Sequence, residues 1–218
     1  LEQLGLLAAP HTLLAHCVWL DDAEIQLLAN HGGGVAHNPV SNMKLASGAA
    51  PIGAMLAKGI AVGLGTDGEK ENNNLDMFEE LKTASLLAKH SNADAAALDA
   101  WSICRMATID GARACRMQEI IGSLKMGKPV KMVVPNIYGP RMTPLITSGQ
   151  YMELQHNLVH AAQGGDVAMT MVDGQVLGRL GEMIACSLPE LPRGSPRGSL
   201  RGLPGGIVQV ACLPDQNG

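Results

Sequence analysis

The chain has 218 residues, 46% of them apolar and only 2% aromatic, with a formal net charge of -4 at pH 7. That length and apolar content can bury a sizeable core, while the slightly acidic balance offers nothing to a polyanion, so no nucleic-acid partner is expected. No apolar run approaches a membrane span, so no membrane partner is expected either.

The chain opens at Leu1 within what reads as the end of a helix, and is expected to be the interior of a longer protein. Leu13-Leu14-Ala15-His16 is a short apolar run, read as a strand that stops at a titratable side chain. Asp21 with Glu24 three residues on is a capping box, so a helix should start there, bury Ile25, Leu28 and Ala29, and stop at Asn30-His31-Gly32. His31 then sits favourably against the helix dipole.

Gly34-Val35-Ala36-His37 is the second strand. Pro39 keeps Asn38 extended, so the chain should leave the sheet through a polar loop, Ser41-Asn42-Met43-Lys44, able to line a pocket. A helix follows from near Pro51, burying Ile52, Met55 and Leu56 and ending at Gly59. Ile60 to Gly68 is a third apolar strand running into Asp67, held between glycines.

Leu75, Phe78, Leu81 and Ser85 mark a long amphipathic helix to about His90. Leu98, Trp101 and Cys104 mark another, with Trp101 in the core, and one more begins near Asp110. From Ile121 the pattern turns to β: Met132-Val133-Val134 is one strand, and Ala168 to Val176 a hairpin through Asp173-Gly174. The stretch from about Ser187 repeats Pro-Arg-Gly-Ser and reads as a disordered tail. The cysteines Cys17, Cys104, Cys115, Cys186 and Cys212 are odd in number with no Cys-x-x-Cys pair. Neither a disulfide framework nor a cysteine zinc knot is indicated, and a reducing, cytoplasmic setting is expected.

His16, His37 and Asp67 share one design, a polar side chain where a buried strand ends. The spacings of 21 and 30 residues fit one strand, loop and helix each. In a barrel of such units the strand C-terminal ends converge on one face, where catalytic residues sit. Other readings stay open: Asp67-Gly68 is also ordinary turn chemistry, and a hydrogen-bonded structural histidine accounts for His37 as well.

In order, Leu14-Ala15-His16-Cys17-Val18, Val35 to Leu45, Gly63-Leu64-Gly65-Thr66-Asp67-Gly68 and Asn73-Asn74-Leu75-Asp76-Met77 resemble the amidohydrolase superfamily, most closely its methylthioadenosine/S-adenosylhomocysteine deaminases and their triazine-hydrolase relatives. Met106 to Ala112, Gly122-Ser123-Leu124 and Gly127-Lys128 fit as well, so the resemblance spans about residues 10 to 180. It implies an α/β fold: the C-terminal part of a (β/α)8 TIM-like metal-dependent hydrolase barrel, strands six to eight ending at His16, His37 and Asp67, followed by part of a small composite β-sandwich. The implied domains are 1-119 for the barrel part, 120-182 for the sandwich segment and 183-218 for the tail.

The resemblance further implies hydrolytic deamination of an S-adenosylhomocysteine- or methylthioadenosine-like nucleoside, with zinc or another divalent metal as cofactor. Asp67 is the implied metal ligand and proton shuttle, His16 the implied electrostatic catalyst, and His37, Asn38 and Ser41 the implied substrate-binding residues. The His-x-His pair, the further metal-binding histidine and the proton-donating glutamate of the family have no counterpart here. Most metal ligands are therefore missing, and Asp67 alone cannot hold zinc. The alternative is a truncated, inactive chain that associates through open sheet edges with another chain, a homo-oligomer included. Glu69-Lys70-Glu71 departs from the small residues usual after Gly68 and could reject a neutral purine. Lys131-Met132 departs from the usual Asp-Leu. A surface salt-bridge cluster explains both departures equally.

Overall fold

A computed structural model describes residues 2-9, 11-145, 154-179 and 182-183, side chains excepted at 8, 182 and 183. The expected Pro-Arg-Gly-Ser tail, Cys186 and Cys212 lie outside the described residues. Three short strands, β1 (Leu13–Ala15), β2 (Gly34–His37) and β3 (Val62–Leu64), form a parallel sheet in sequence order, with Leu14 opposite Val35 and Ala36 opposite Gly63. The third strand is shorter than the apolar run suggests, because the chain departs from the ladder after Leu64 on its way to Asp67.

Helix α1 (Asp22–His31) begins as its sequence dictates. The Asp21 carboxylate accepts the Glu24 N–H, the Glu24 side chain accepts the Asp21 N–H, and Gly32 closes the other end at φ 65°. Ile25 and Leu28 are buried, Ala29 only partly. Helix α3 (Ile52–Ala57) buries Ile52 and Met55, with Pro51 as its N-cap rather than its first helical residue.

The expected polar loop after β2 is instead a helix, α2 (Pro39–Lys44). Proline at the first helical position presets its own φ and sacrifices no intrahelical bond there, so six polar-rich residues coil without an apolar stripe to announce them. A further turn, α4 (Glu69–Asn72), follows Asp67. The long helix is α5 (Met77–Asn92), capped by the Asp76 side chain on the Phe78 N–H. That cap leaves Leu75 outside the helix, 47% exposed and at φ 53°. Helices α6 (Ala100–Met106) and α7 (Ile109–Ala114) complete the series. Trp101 is half-buried rather than a core residue, and the Asp99 cap on Ser102 N–H leaves Leu98 before the helix.

Two cores result. Leu28, Val35, Met55, Val62 and Met106 fill one between α1, α3 and the sheet, and Phe78, Leu81, Ile103 and Cys104 fill the other. The second also takes Met142, Leu158, Val159 and Ala162, so helix α8 (Leu154–His160) packs on α5 and α6. Strands β4 (Lys131–Pro135), β5 (Val167–Val172), β6 (Gln175–Arg179) and β7 (Glu182–Met183) make an antiparallel sheet. The β5–β6 hairpin turns at Asp173-Gly174, at φ 51° and 79°, the left-handed pair that a two-residue hairpin requires. No helix among the described residues is long and apolar enough to cross a membrane.

Candidate functional site

The parallel ladder carries the chain to the site. His16 N–H still bonds Ala36 O at 2.9 Å, and Gly65 N–H bonds His37 O at 2.9 Å, so both strand ends are fixed just where side chains emerge. His16, Cys17 and Asp67 then take φ of 66°, 49° and 61°. Left-handed backbone at non-glycine residues costs energy, and such residues gather at functional sites.

His16 and Asp67 converge, with His16 Nε2 3.6 Å from Asp67 Oδ2. Helix α2 supplies the contacts that hold both. Ser41 Oγ donates to Asp67 Oδ2 at 2.6 Å, and Asn42 Oδ1 lies 2.8 Å from His16 Nδ1. The His16 ring thus turns Nδ1 toward Asn42 and Nε2 toward Asp67. Asp67 Oδ1 accepts the Gly68 N–H at 2.8 Å. The Ser41 hydroxyl above all, then the Gly68 amide and His16, hold the Asp67 carboxyl below its ordinary range against the opposing effect of partial burial. Asp67 therefore has one carboxylate oxygen braced by the Gly68 N–H and the other held by Ser41 and facing His16.

His37 is 2% exposed, and its Nδ1 finds no hydrogen-bond partner among the described residues. Burial, helped by the charge of His16, pushes it down to about 4, so it stays neutral near pH 7. Asn38 is buried beside it, with its Oδ1 in the space a Cβ on Gly65 would fill, 2.5 Å from that position. A side chain at Gly65 would have to displace the Asn38 carboxamide. His16, Asp67 and Ser41 are joined by contacts, whereas no contact of His37 or Asn38 with Asp67 is seen.

Three further residues of the site are not singled out by the sequence. Asn42 read only as part of a polar loop able to line a pocket. Glu80 on α5 is fully buried; one carboxylate oxygen accepts the Val40 N–H at 3.2 Å and the other the Asn72 side-chain amide. Asn72 Oδ1 in turn accepts the Leu75 N–H at 2.8 Å. Burial raises Glu80 to about 7 despite these two hydrogen bonds. Only the small residues Ala84 and Ser85, one turn on, hint that the buried stripe widens to include position 80.

Residues 1–177 match the amidohydrolase family over most of the chain. The chain belongs to the amidohydrolase family. It is 48% identical over 177 residues to the 5'-deoxyadenosine deaminase of Methanosarcina acetivorans, a match covering 81% of this chain and 39% of that protein. It is 45% identical to the 5-methylthioadenosine/S-adenosylhomocysteine deaminase of Desulforudis audaxviator, covering 82% and 40%. Among solved structures, an adenosine deaminase from Xanthomonas campestris with bound zinc superposes with a TM-score of 0.74 at 37% identity, covering 80% of this chain and 38% of that one. The chain thus spans about two fifths of the length of the curated relatives it matches.

The described donors of this amidohydrolase-family chain do not make a metal centre by themselves. Among the described residues no group of three or more His, Cys, Asp or Glu could hold a metal ion. The converging pair of His16 Nε2 and Asp67 Oδ2 falls short of the three or four protein ligands of a zinc site.

Proposed function

We propose that this chain supplies one side of the active site of a metal-dependent hydrolase that acts on a non-peptide carbon-nitrogen bond, deaminating an S-adenosylhomocysteine- or methylthioadenosine-like purine nucleoside. The observation that carries the reading is the meeting of His16 and Asp67 just beyond the C-terminal ends of β1 and β3, with Ser41 holding the Asp67 carboxyl below its ordinary range. The names of the relatives and the zinc of the Xanthomonas structure support the substrate class and the metal. In this reading the strands are the sixth to eighth of a barrel, residues beyond this chain supply the other metal ligands, and residues 120-182 begin a composite sandwich.

Asp67 is then one metal ligand and the base that takes a proton from the attacking water and hands it to the departing ammonia. His16 stabilises the charge that develops at the tetrahedral carbon, and His37, Asn38 and Ser41 wall the pocket. A second reading, a chain inactive alone that associates through its sheet, is favoured by the two-donor count and by the outer edges of β1 and β3, which have no strand partner among the described residues.

Metal analysis and ammonia release from S-adenosylhomocysteine test both readings, on this chain alone and joined to the remaining part of a relative. The chain alone should hold no stoichiometric zinc and release no ammonia; the joined protein should do both. There Asp67→Asn should abolish turnover, and His16→Ala should lower it by about 10² to 10³. Full turnover in Asp67→Asn would overturn the assignment of the centre, and a joined protein with neither zinc nor ammonia release would favour the second reading.

A further inference from the structure

Helix α2 holds both groups of the site, yet its own start lacks the usual support. Its N-cap, Asn38, makes no side-chain cap bond, since that carboxamide is turned toward Gly65. The bond comes from Glu80, 40 residues away, through Val40 N–H. The next two residues after Val40 are Ser41 on Asp67 and Asn42 on His16. The same carboxylate grips Asn72, which ties down the chain just after α4 through the Leu75 and Asn74 amides. One buried acid therefore joins the turn that leaves β2 to the turn that follows β3.

We infer that Glu80 is a positioning residue for Asp67, acting through the first turn of α2 and the Ser41 hydroxyl. The inference rests on Asp67 being the centre of the site. Two donors, a backbone N–H and a carboxamide N–H, point at this side chain, and a carboxylate can accept both at once. The two donors reach different oxygens, and glutamine sets an NH2 donor where one of those oxygens stood, so one bond is lost. Full burial of an acid carries a desolvation cost that a neutral side-chain cap from Asn38, itself buried, would have avoided. The arrangement gains a fixed distance from α5, a rigid core helix, to the carboxylate opposite His16. Beyond burial and its two hydrogen bonds, the charges that act on Glu80 are the acidic Glu79 and Asp67, which push it further up.

The test is NMR on the full 218-residue chain at one fixed pH near 8, following the Val40 and Leu75 amides, the Gly68 amide and the Asp67 carboxyl carbon. Glu80→Gln should shift all four signals with the rest of the spectrum retained. In a Ser41→Ala background the same change should still move Val40, while its effect on the Asp67 carbon shrinks roughly fivefold or more, the non-additivity expected of residues in one contact chain. A plain helix cap would move Val40 and leave Asp67 and Gly68 where they are, overturning the inference. An Asp67 shift of equal size in both backgrounds would overturn it as well, since Ser41 would not be the link. If Glu80→Gln fails to fold, Glu80→Asp, which keeps the charge and withdraws it by one methylene, is judged on the same signals. Because the experiment reads neither turnover nor metal, its failure leaves the hydrolase reading standing, and failure of that reading leaves this result interpretable.

Discussion

The parallel and antiparallel sheets of this chain handle polar groups in opposite ways. In the parallel part, Val35 and Val62 are wholly buried, and His37, Asn38, Ser41, Asn42, Asn72 and Glu80 are buried around the strand ends. In the antiparallel part only Val133 is buried on β4, every residue of β5 is half-exposed, and the ion pair Lys131–Asp173 has its carboxylate in water. A parallel sheet covered by helices can bury a polar site within a rigid frame, whereas a half-covered antiparallel sheet keeps its charges in water. The lesson is that burial, more than the number of polar groups, marks where chemistry can be arranged.

The largest break in this contrast should come from glycine. A Cβ on Gly63 of β3 would lie 2.7 Å from the backbone Cα of Gly111 on α7, whereas one on Gly174 in the β hairpin meets nothing within 4 Å. Gly63→Ala should cost more than about 3 kcal/mol, since backbone must move. Gly174→Ala should cost about 1 kcal/mol, the penalty of a side chain at φ 79°. Urea midpoints measure both, and equal losses would mean the two sheets are packed alike.

Next in size is a pH effect confined to the parallel part. His37 falls from 6.5 to about 4 on folding, so its contribution to stability is present above 6.5 and is lost as pH falls toward 4. Glu80 rises from 4.5 to about 7, so its contribution is present below 4.5 and is lost as pH rises through about 7. Between 4.5 and 6.5 the two slopes oppose each other. Wild-type stability should be nearly flat there, while in Glu80→Gln it should fall with acidification, by an amount on the order of 3 kcal/mol over the full window. A variant profile that parallels the wild type would show that Glu80 does not offset His37.

The smallest effect belongs to the antiparallel surface. Asp173 is 62% exposed and pairs with Lys131 at 2.5 Å. Asp173→Asn, which tolerates the same left-handed backbone, should cost less than about 1 kcal/mol, and nothing measurable in high salt. A larger loss by thermal unfolding would place this pair on a par with the buried contacts.

What could be read from the sequence follows the same divide. Asp21 with Glu24, and Asp173 with Gly174, act on backbone within a few residues, so their patterns announce α1 and the hairpin directly. The strand ends beside His16 and at His37 were legible because an apolar run halting at a titratable group is itself a local signal, whereas β3 stops at Leu64 and Asp67 lies three residues beyond it. Helix α2 was not, because its six residues carry no stripe. Glu80 was not either, because its partner is an N–H that only the fold brings near.

Helix α2 presents Ser41 and Asn42, neighbours in sequence, to two different groups of the site. Adjacent helical residues point about 100° apart, so this short helix works like a caliper whose two tips rest on Asp67 and His16. Turning the helix about its axis cannot release one tip without swinging the other. The spacing between acid and imidazole is therefore set as a single quantity, and a substitution that alters the helix's phase would change both contacts together.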